Sequence, residues 1–341
     1  MFTGILSRRD FLKLSGASLL GILASELHIE SAQATTFPFQ GRVQASTLNV
    51  RDAPAFSGKK TRTLKRDNMI EIREQLFGGV TGDYNRVWYR LNDLEYVYSG
   101  WVQRAETILN PVKTDIPETG VLGEITIPAA NSSYGINRTP SEGPVLYYTT
   151  THWFTARVVD KRDGSIWYKA YDAAQDNYYY TRPEWVHLFS PEELAPLSPQ
   201  VPEDEKHIEI ILDRQLLLAY EWDKLVYAAR VATGKLHYES PAGWFHTFHK
   251  RPTYHMFGGA DDASVFDLPG VPWDSYITEH GVAIHGTYWH NDFGIPHSHG
   301  CINMRPEDAK WIFRWTLPSV PPDQRLVLQP GVGTRVHIVQ Y

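Results

Sequence analysis

The side chain with the greatest chemical potential in this sequence is that of Cys301, the only cysteine among the 341 residues. A cysteine sulfur is a nucleophile as the thiolate, and a neighbouring histidine lowers its pKa by forming an ion pair. His285 precedes Cys301 by 16 positions, and Gly300 stands directly before it. A glycine permits a sharp backbone turn whose N–H groups can point at a developing oxyanion. These residue types suit acyl transfer, but alone they do not define the reaction.

Metal binding is the alternative chemistry for the same region, because several histidines surround the thiol. A structural zinc site usually has four ligands at regular short spacings such as C-x2-C, and one cysteine with scattered histidines does not meet that pattern. We therefore predict no metal and no other cofactor. We expect most of the extra histidines to be surface or cleft residues, with His246, His249 and His255 as candidates for lining the substrate cleft. The extra histidines are His246, His249, His255, His290, His297 and His299.

The segment around the thiol resembles the catalytic domain of the L,D-transpeptidases, the YkuD type. The motif of that family is H-G-T, a spacer, and then S-H-G-C, and it matches residues 285–287 and 298–301. Upstream, residues 233–235 and 240–245 resemble the family's T-G-x and T-P-x-G-x-F segments, with Ser240 in place of the usual Thr. The resemblance implies a β-sandwich domain that acts on peptidoglycan.

The resemblance also implies a role for each matching residue. Cys301 would be the nucleophile and His285 the general base, with the Gly286 carbonyl orienting the imidazole as the third member of a triad does elsewhere. The oxyanion hole would consist of the N–H groups of His299, Gly300 and Cys301. Ser298 and Asn303 would support the loop that carries the nucleophile.

Substrate contacts are less sharply indicated. Many family members have Arg where this chain has Asn303, so Arg305 is our candidate for recognising a carboxylate instead. The full set of predicted substrate-binding residues is Tyr254, His255, Trp273, Thr287 and Arg305.

The implied donor is a peptidoglycan stem tetrapeptide, cleaved between its third residue, a diamino acid, and the terminal D-Ala. The side-chain amine of a neighbouring stem as acceptor gives a 3→3 cross-link. Water as acceptor gives an L,D-carboxypeptidase, and a D-amino acid gives exchange; the sequence does not distinguish these acceptors or identify the diamino acid. Carbapenem-type β-lactams are the expected covalent inhibitors.

Two other classes of protein compete with this interpretation. One is a non-catalytic cell-wall-binding protein, against which the intact pair of His285 and Cys301 counts. The other is a wall hydrolase of the cysteine-peptidase kind, but in those enzymes the cysteine usually precedes the histidine in sequence. We therefore predict a cysteine acyltransferase.

The elements that precede this domain begin with an export signal. Residues 7–13 read S-R-R-D-F-L-K, which fits the twin-arginine motif, and an apolar run and an A-x-A sequence at 32–34 follow. A membrane span needs about 18 or more consecutive apolar residues, and this run is shorter and interrupted by serines. We predict that residues 1–34 are removed, that the mature chain has no stable membrane span, and that it lies in the cell wall or a periplasm-like space.

Two small β modules are predicted next. Residues 38–110 resemble a bacterial SH3-like domain, with L-N-V-R-x-x-P near the start and G-W-V near the end, and residues 118–190 repeat the arrangement more loosely. The aromatic fraction of 13% favours short strands with cross-strand aromatic pairs. We expect both modules to be small β-barrels that bind the cell wall.

A Pro-rich linker at 191–205 leads to the catalytic domain at 206–341, so the predicted fold is mainly β with one short helix. Strands are predicted at 207–212, 215–220, 225–231, 325–328 and 335–339, and the helix at 306–315, where Pro306 suits the first helical position. A formal net charge of -6 excludes an electrostatic nucleic-acid binder. The oligomeric state is not indicated.

Overall fold

The computed structural model describes residues 36–79, 85–136, 142–259 and 265–341, with the Glu142 side chain excepted. The predicted signal at 1–34 lies outside the described residues. Within these ranges no helix has the length and apolar character needed to cross a membrane. These described residues are mainly β, as predicted, and they form five sheets.

Module 1, residues 38–110, contains two of these sheets. Its strands are β1 (Phe39–Val43), β2 (Thr47–Arg51), β3 (Lys60–Lys65), β4 (Met69–Ile72), β5 (Glu74–Phe77), β6 (Val87–Asn92), β7 (Glu95–Tyr98) and β8 (Val102–Arg104). The sheet orders are β4-β1-β8 and β3-β2-β7-β6-β5. Alternate residues of β2, Leu48 and Val50, point inward to a core that also contains Ile72 and Val97. The module therefore has its own hydrophobic core, while its likeness to SH3 domains stays a prediction.

Module 2, residues 118–190, is one seven-stranded sheet in the order β11-β10-β14-β13-β12-β9-β15. Its strands are β9 (Val121–Ile125), β10 (Ala129–Ser133), β11 (Glu142–Tyr147), β12 (Thr151–Val159), β13 (Ile166–Asp172), β14 (Asn177–Thr181) and β15 (Val186–Leu188). The long strand β12 carries a register shift between Phe154 and Ala156, which bends the sheet around the core. Aromatic residues such as Phe154 and Tyr168 fill that core.

The third domain packs two five-stranded sheets face to face, which confirms the predicted β-sandwich. Their orders are β18-β17-β16-β25-β19 and β23-β22-β21-β20-β24. The strands are β16 (Lys206–Ile211), β17 (Leu216–Glu221), β18 (Lys224–Arg230), β19 (Gly243–His246), β20 (His249–Gly258), β21 (Phe266–Tyr276), β22 (Ala283–Gly286), β23 (Ile302–Met304), β24 (Val327–Leu328) and β25 (Arg335–Val339).

One α-helix, α1 (Pro306–Trp315), lies in the described part of the chain and packs on β21 and β22. Pro306 occupies the first turn, where its missing N–H leaves no intrahelical bond unmade, and Glu307 and Asp308 lie at the positive end of the helix dipole. Ile312 and Trp315 face the core. The predicted helix at 306–315 is confirmed. Short 3-10 helices lie at Ser99–Trp101, Pro183–Trp185, Glu192–Leu194, Glu203–Glu205 and Leu212–Arg214.

The Pro-rich segment at 191–205 lies along the third domain. The Leu197 N–H donates to the Arg314 carbonyl oxygen at 2.9 Å, and the Arg314 guanidinium donates to the Ala195 carbonyl oxygen at 2.9 Å. Leu194 and Leu197 pack against the core of the sandwich. The segment is therefore held against α1 rather than spanning solvent.

Both modules dock on the third domain. Leu122, Trp153 and Phe189 of module 2 join the buried core of the sandwich, where Phe189 packs edge-on against Trp273 with ring centroids 5.5 Å apart. The three parts of the chain meet at Tyr288. Its carbonyl oxygen accepts from Arg42 of module 1 at 2.8 Å, and its ring stacks on Tyr147 of module 2 at 5.6 Å.

Candidate active site

The thiol and the imidazole lie on the same face of two neighbouring parallel strands. β22 and β23 pair Ile284 with Ile302 and His285 with Asn303. Ile284 and Ile302 are buried in the core, so the alternate residues His285 and Asn303 point to the opposite face. Cys301 directly precedes β23 and follows the same alternation. The local strand geometry thus presents Cys301 and His285 to one cavity.

The imidazole has a fixed tautomer. His285 Nδ1 lies 3.0 Å from the Gly286 carbonyl oxygen, which can only accept, so Nδ1 carries the proton and Nε2 keeps its lone pair. Nε2 is therefore the atom able to take a proton from a nucleophile. The Cys301 thiol itself donates to the Gly281 carbonyl oxygen at 3.6 Å.

Both groups are neutral in the free protein. Burial lowers the pKa of His285 to about 4, although its hydrogen bond to Gly286 opposes that shift. Burial raises the pKa of the Cys301 thiol to about 11, and an N–H group of Ala283 opposes that shift. Because burial disfavours the charged form of each partner, these shifts favour a neutral pair over the ion pair expected from the sequence. A thiolate would therefore have to form as the sulfur reacts, and the His285 Nε2 lone pair is free to accept its proton.

Hydrogen bonds hold the loop before Cys301 in shape. Ser298 Oγ donates to the Cys301 carbonyl oxygen at 2.5 Å and accepts from the Gly300 N–H at 3.1 Å. Gly300 has φ +114°, a conformation that L side chains rarely adopt. In this state the Gly300 N–H is occupied by Ser298, which leaves the N–H groups of His299 and Cys301 as the other donors of the predicted oxyanion hole.

Ser240 fixes the loop from the opposite side. Its buried hydroxyl donates to the Gly300 carbonyl oxygen at 2.8 Å and accepts from the Gly234 N–H at 2.9 Å. The Lys235 N–H donates to the Ser298 carbonyl oxygen at 3.0 Å. The segment at 233–240 therefore acts as a brace for the loop that carries the nucleophile.

Asn303 is oriented by a buried histidine. The Asp292 N–H donates to His290 Nδ1 at 3.2 Å, so the proton of this neutral imidazole is on Nε2. The structure places Asn303 Nδ2 3.0 Å from His290 Nε2; because Nε2 carries the proton, we assign the amide in the flipped orientation, with its oxygen accepting from Nε2. The NH2 group then takes the place of Asn303 Oδ1, a buried atom that has no hydrogen-bond partner in the structure.

Module 1 forms hydrogen bonds with Asp292, the residue that contacts His290. The Asp292 carboxylate accepts from the Tyr98 hydroxyl at 2.6 Å and from the Asn85 amide at 2.9 Å. The Asn291 N–H donates to the Gly100 carbonyl oxygen at 2.8 Å. Contacts from module 1 therefore reach Asn303 through Asp292 and His290.

The cavity above the thiol has a volume of about 920 Å³, and all three parts of the chain line it. Module 1 supplies Arg42, Gln44, Ala45, Ser46, Thr47, Arg66 and Trp101, and module 2 supplies Pro144, Val145 and Tyr147. The third domain supplies Lys235, Met256, Val265, Phe266, Asp267, Leu268, Pro269, His285, Tyr288, Trp289, His297, Ser298, His299, Cys301 and Asn303. The modules thus form a wall of the cleft.

The five predicted substrate-binding residues are not all near the thiol. Tyr254 and His255 line a separate cavity of about 160 Å³ between module 2 and the third domain. Trp273 lies in the hydrophobic core, and Thr287 is buried. Arg305 is exposed and lies over the Phe293 ring, 5.5 Å from its centroid, rather than among the residues that line the main cavity.

Sequence reasoning missed the contribution of His290 and Asp292 and the brace formed by Ser240. The Ser240 position was detectable as the variant of a motif threonine, but its contact with Gly300 spans 60 positions and has no local signature. As for metals, the described residues contain no group of three His, Cys, Asp or Glu side chains arranged to hold an ion.

Residues 205–338 match the family model of the YkuD L,D-transpeptidase catalytic domain. This match covers the two sheets of the sandwich, α1 and the loop that carries Cys301. A search of curated proteins found no match.

Solved L,D-transpeptidases are also similar to the chain. The catalytic domain of the Enterococcus faecium enzyme, solved by NMR, is 27% identical with a TM-score of 0.32, covering 40% of this chain and 98% of that one. A crystal structure of a mutant of the Enterococcus faecium enzyme is 24% identical with a TM-score of 0.32, covering 40% and 50%. An L,D-transpeptidase from Mycobacterium smegmatis is 20% identical with a TM-score of 0.34, covering 67% and 100%. The chain spans about half the length of the first solved chains it matches, 49% and 50%.

Proposed function

We propose that this protein is an exported L,D-transpeptidase that forms 3→3 cross-links in peptidoglycan and releases terminal D-Ala. The observation that supports it best is the pair of Cys301 and His285 on one strand face, with the imidazole held by Gly286 beneath a cavity of about 920 Å³. The pair lies inside the segment that matches the L,D-transpeptidase catalytic domain.

The proposed reaction has two acyl-transfer steps. His285 Nε2 takes the thiol proton as the Cys301 sulfur attacks the carbonyl between the diamino acid and D-Ala, and N–H groups of the loop stabilise the oxyanion. The protonated His285 gives its proton to the departing amine of D-Ala, leaving a thioester. The side-chain amine of a second stem then attacks this thioester and restores the thiol.

Water remains the competing acceptor. An L,D-carboxypeptidase would use the same acyl-enzyme, so the same residues would serve both reactions. Amine transfer is favoured by the size of the cavity, because the donor and the acceptor are both peptide stems and an enzyme restricted to water needs room for one of them.

The proposal extends to location and wall contacts. Residues 1–34 would direct export by the twin-arginine route, and the two modules, as SH3-like domains, would hold the enzyme at the cell wall. A signal of the form S-R-R-D-F-L-K and the family's peptidoglycan substrate both support an extracytoplasmic site of action.

The first test is intact-protein mass spectrometry of residues 35–341 after incubation with ertapenem, a carbapenem found acylating the Enterococcus faecium catalytic domain. We expect one covalent adduct on the wild type and none on the Cys301→Ala variant. A muropeptide assay with an added amine acceptor then separates transfer from hydrolysis. A folded wild-type protein that forms no adduct would refute the acyl-enzyme and leave a wall-binding role as the better proposal.

A further inference from the structure

Some of the charged side chains that line the main cavity have a partner of opposite charge, and others do not. Four charged side chains are among the described lining residues: Arg42, Arg66, Lys235 and Asp267. The histidines His285, His297 and His299 also lie there, and burial lowers the pKa of each, which favours the neutral form at neutral pH. The sign of the cleft therefore depends on the four permanent charges.

Two of those four charges have partners. The buried Arg42 guanidinium pairs with Asp67 at 2.8 Å and also donates to Gln103 and to the Tyr288 carbonyl oxygen. The Asp267 carboxylate is hydrogen-bonded by His255. Neither group is therefore available as a free charge for a ligand.

Arg66 and Lys235 remain. Neither cation has an Asp or Glu oxygen of the described residues within 4.0 Å of its charged nitrogen atoms. The two cations belong to different parts of the chain, module 1 and the catalytic domain, and line the same cavity as Cys301.

The backbone of each cation is fixed. The Lys235 N–H bonds the Ser298 carbonyl oxygen at 3.0 Å, which places this residue beside the loop of the nucleophile. The Arg66 N–H bonds the Ser46 carbonyl oxygen at 3.2 Å, and the next residue, Asp67, is the partner of Arg42. Both residues thus line the cleft from anchored backbone positions, and the Lys235 ammonium group lies over the Tyr238 ring, 5.6 Å from its centroid.

We propose that Arg66 and Lys235 form a carboxylate subsite, shared between module 1 and the catalytic domain, that receives a free carboxylate of the peptide substrate. The inference rests on the proposed function, because peptidoglycan stems carry free carboxylates near the scissile bond. Guanidinium and ammonium groups form charge-assisted hydrogen bonds with carboxylates, and these are stronger than bonds between neutral groups. Module 1 is then part of the substrate site as well as a separate folded unit.

The test compares a synthetic stem tetrapeptide with a set of versions in which one carboxylate at a time is amidated. On the wild type we expect kcat/KM to fall about tenfold for one amidated version, the lower end of what a hydrogen bond to a charged group contributes. The variants Arg66→Gln and Lys235→Gln should lose about tenfold on the free acid, chiefly through KM, and should discriminate less than about twofold between acid and amide.

Lys65→Gln is the matched control, because Lys65 is an exposed neighbour of Arg66 that does not line the cavity. It should retain the wild-type discrimination, and circular dichroism and melting should show all variants folded. Equal turnover of the acid and every amide by the wild type, or unchanged discrimination in Arg66→Gln and Lys235→Gln, would overturn the subsite. Absence of any turnover by the wild type would instead refute the proposed function.

Discussion

At the scale of single residues, the thiol and the imidazole differ from a preformed ion pair. Burial shifts their pKa values apart, to about 11 for Cys301 and about 4 for His285. Each group is therefore uncharged near neutral pH, and the proton moves only when a carbonyl is attacked. In the proposed reaction the histidine therefore acts as a base while the carbonyl is attacked.

This neutral pair predicts different responses to two reagents. Alkylation of Cys301 by iodoacetamide should be slow at pH 7 and should rise with pH toward about 11, the pKa of the thiol. The His285→Gln variant should change this alkylation rate little, but it should slow acylation by a carbapenem by about 10²-fold or more, as loss of a general base does. Stopped-flow or mass-spectrometric rates from pH 5 to 10 measure both effects. An inflection in alkylation near pH 6 that vanishes in His285→Gln would indicate an ion pair instead.

The residue types suggested a thiol nucleophile with a histidine base, and the resemblance to the L,D-transpeptidases added the Gly286 carbonyl as its support; these roles remain predictions. The residue types did not predict that the pair is neutral, since burial arises from residues far away in sequence. Most of the extra histidines were predicted to be surface or cleft residues, and His290 is an exception, because it is 1% exposed and contacts Asn303. Asp292 is only two positions away, but Asn303 becomes a neighbour of His290 only when the chain folds back to pair β22 with β23.

His290 should have one tautomer and should act as a positioning residue. Nitrogen NMR of the labelled protein should show a neutral ring with the proton on Nε2 at neutral pH, because the Asp292 N–H occupies Nδ1 and burial holds the pKa well below its usual range. His290→Ala should release the Asn303 amide and reduce carbapenem acylation about tenfold, the effect of losing about 1.4 kcal/mol of transition-state stabilisation. Asn303→Ala should have a similar effect, and the double variant should add little to either. Additive losses would show that the two residues act separately.

At the scale of elements, the sequence predicted the individual strands better than their arrangement. The hydrophobic runs match β16, β17 and β18 closely, and the helix signals match α1, because both depend on local patterns. The parallel pairing of β16 with β25 joins segments more than 120 residues apart. Nothing local in either strand specifies that partner.

The brace at 233–240 is the element whose role is easiest to test. Ser240→Ala would leave the Gly300 carbonyl and the Gly234 N–H without their hydrogen-bond partner in a buried site. We expect a loss of about 1–3 kcal/mol in the free energy of unfolding, together with slower acylation of Cys301. Ser240→Thr, which restores the usual family residue and keeps the hydroxyl, should retain both stability and rate. Urea denaturation and acylation kinetics test the pair of variants, and equal behaviour of Ala and Thr would exclude the brace.

At the scale of the whole molecule, the modules are docked on the catalytic domain instead of being tethered beside it. Module 1 contacts the third domain through Arg42, Tyr98 and Gly100. Trp153 and Phe189 of module 2 are part of the hydrophobic core of the third domain. The sequence indicated separate modules and a Pro-rich spacer, since each module has a local strand pattern. Docking depends on contacts between residues about 80 to 250 positions apart, which leave no such pattern.

The contact between module 2 and the catalytic domain should depend on pH through His255. This buried imidazole lies between Asp172 of module 2, at 2.5 Å, and Asp267 of the third domain. Burial alone would lower the pKa of His255, but the two carboxylates outweigh burial and raise it. Because the folded pKa lies above the unfolded one of about 6.5, the stabilisation is fully present below pH 6.5 and is lost as pH rises through the folded pKa.

The measurement is the melting temperature of the wild type and of His255→Gln between pH 5.5 and 9. At the acidic end of this range we expect the wild type to have a higher melting temperature than His255→Gln. This difference between the two proteins should shrink as pH rises, because the neutral imidazole keeps hydrogen bonds but loses its attraction to two carboxylates. His246→Gln is a suitable control, since His246 is exposed and lies in β19, away from module 2. A difference that is constant across the range would mean that His255 stabilises the interface by packing alone, while a difference that grows with pH would reverse the assigned direction of the pKa shift.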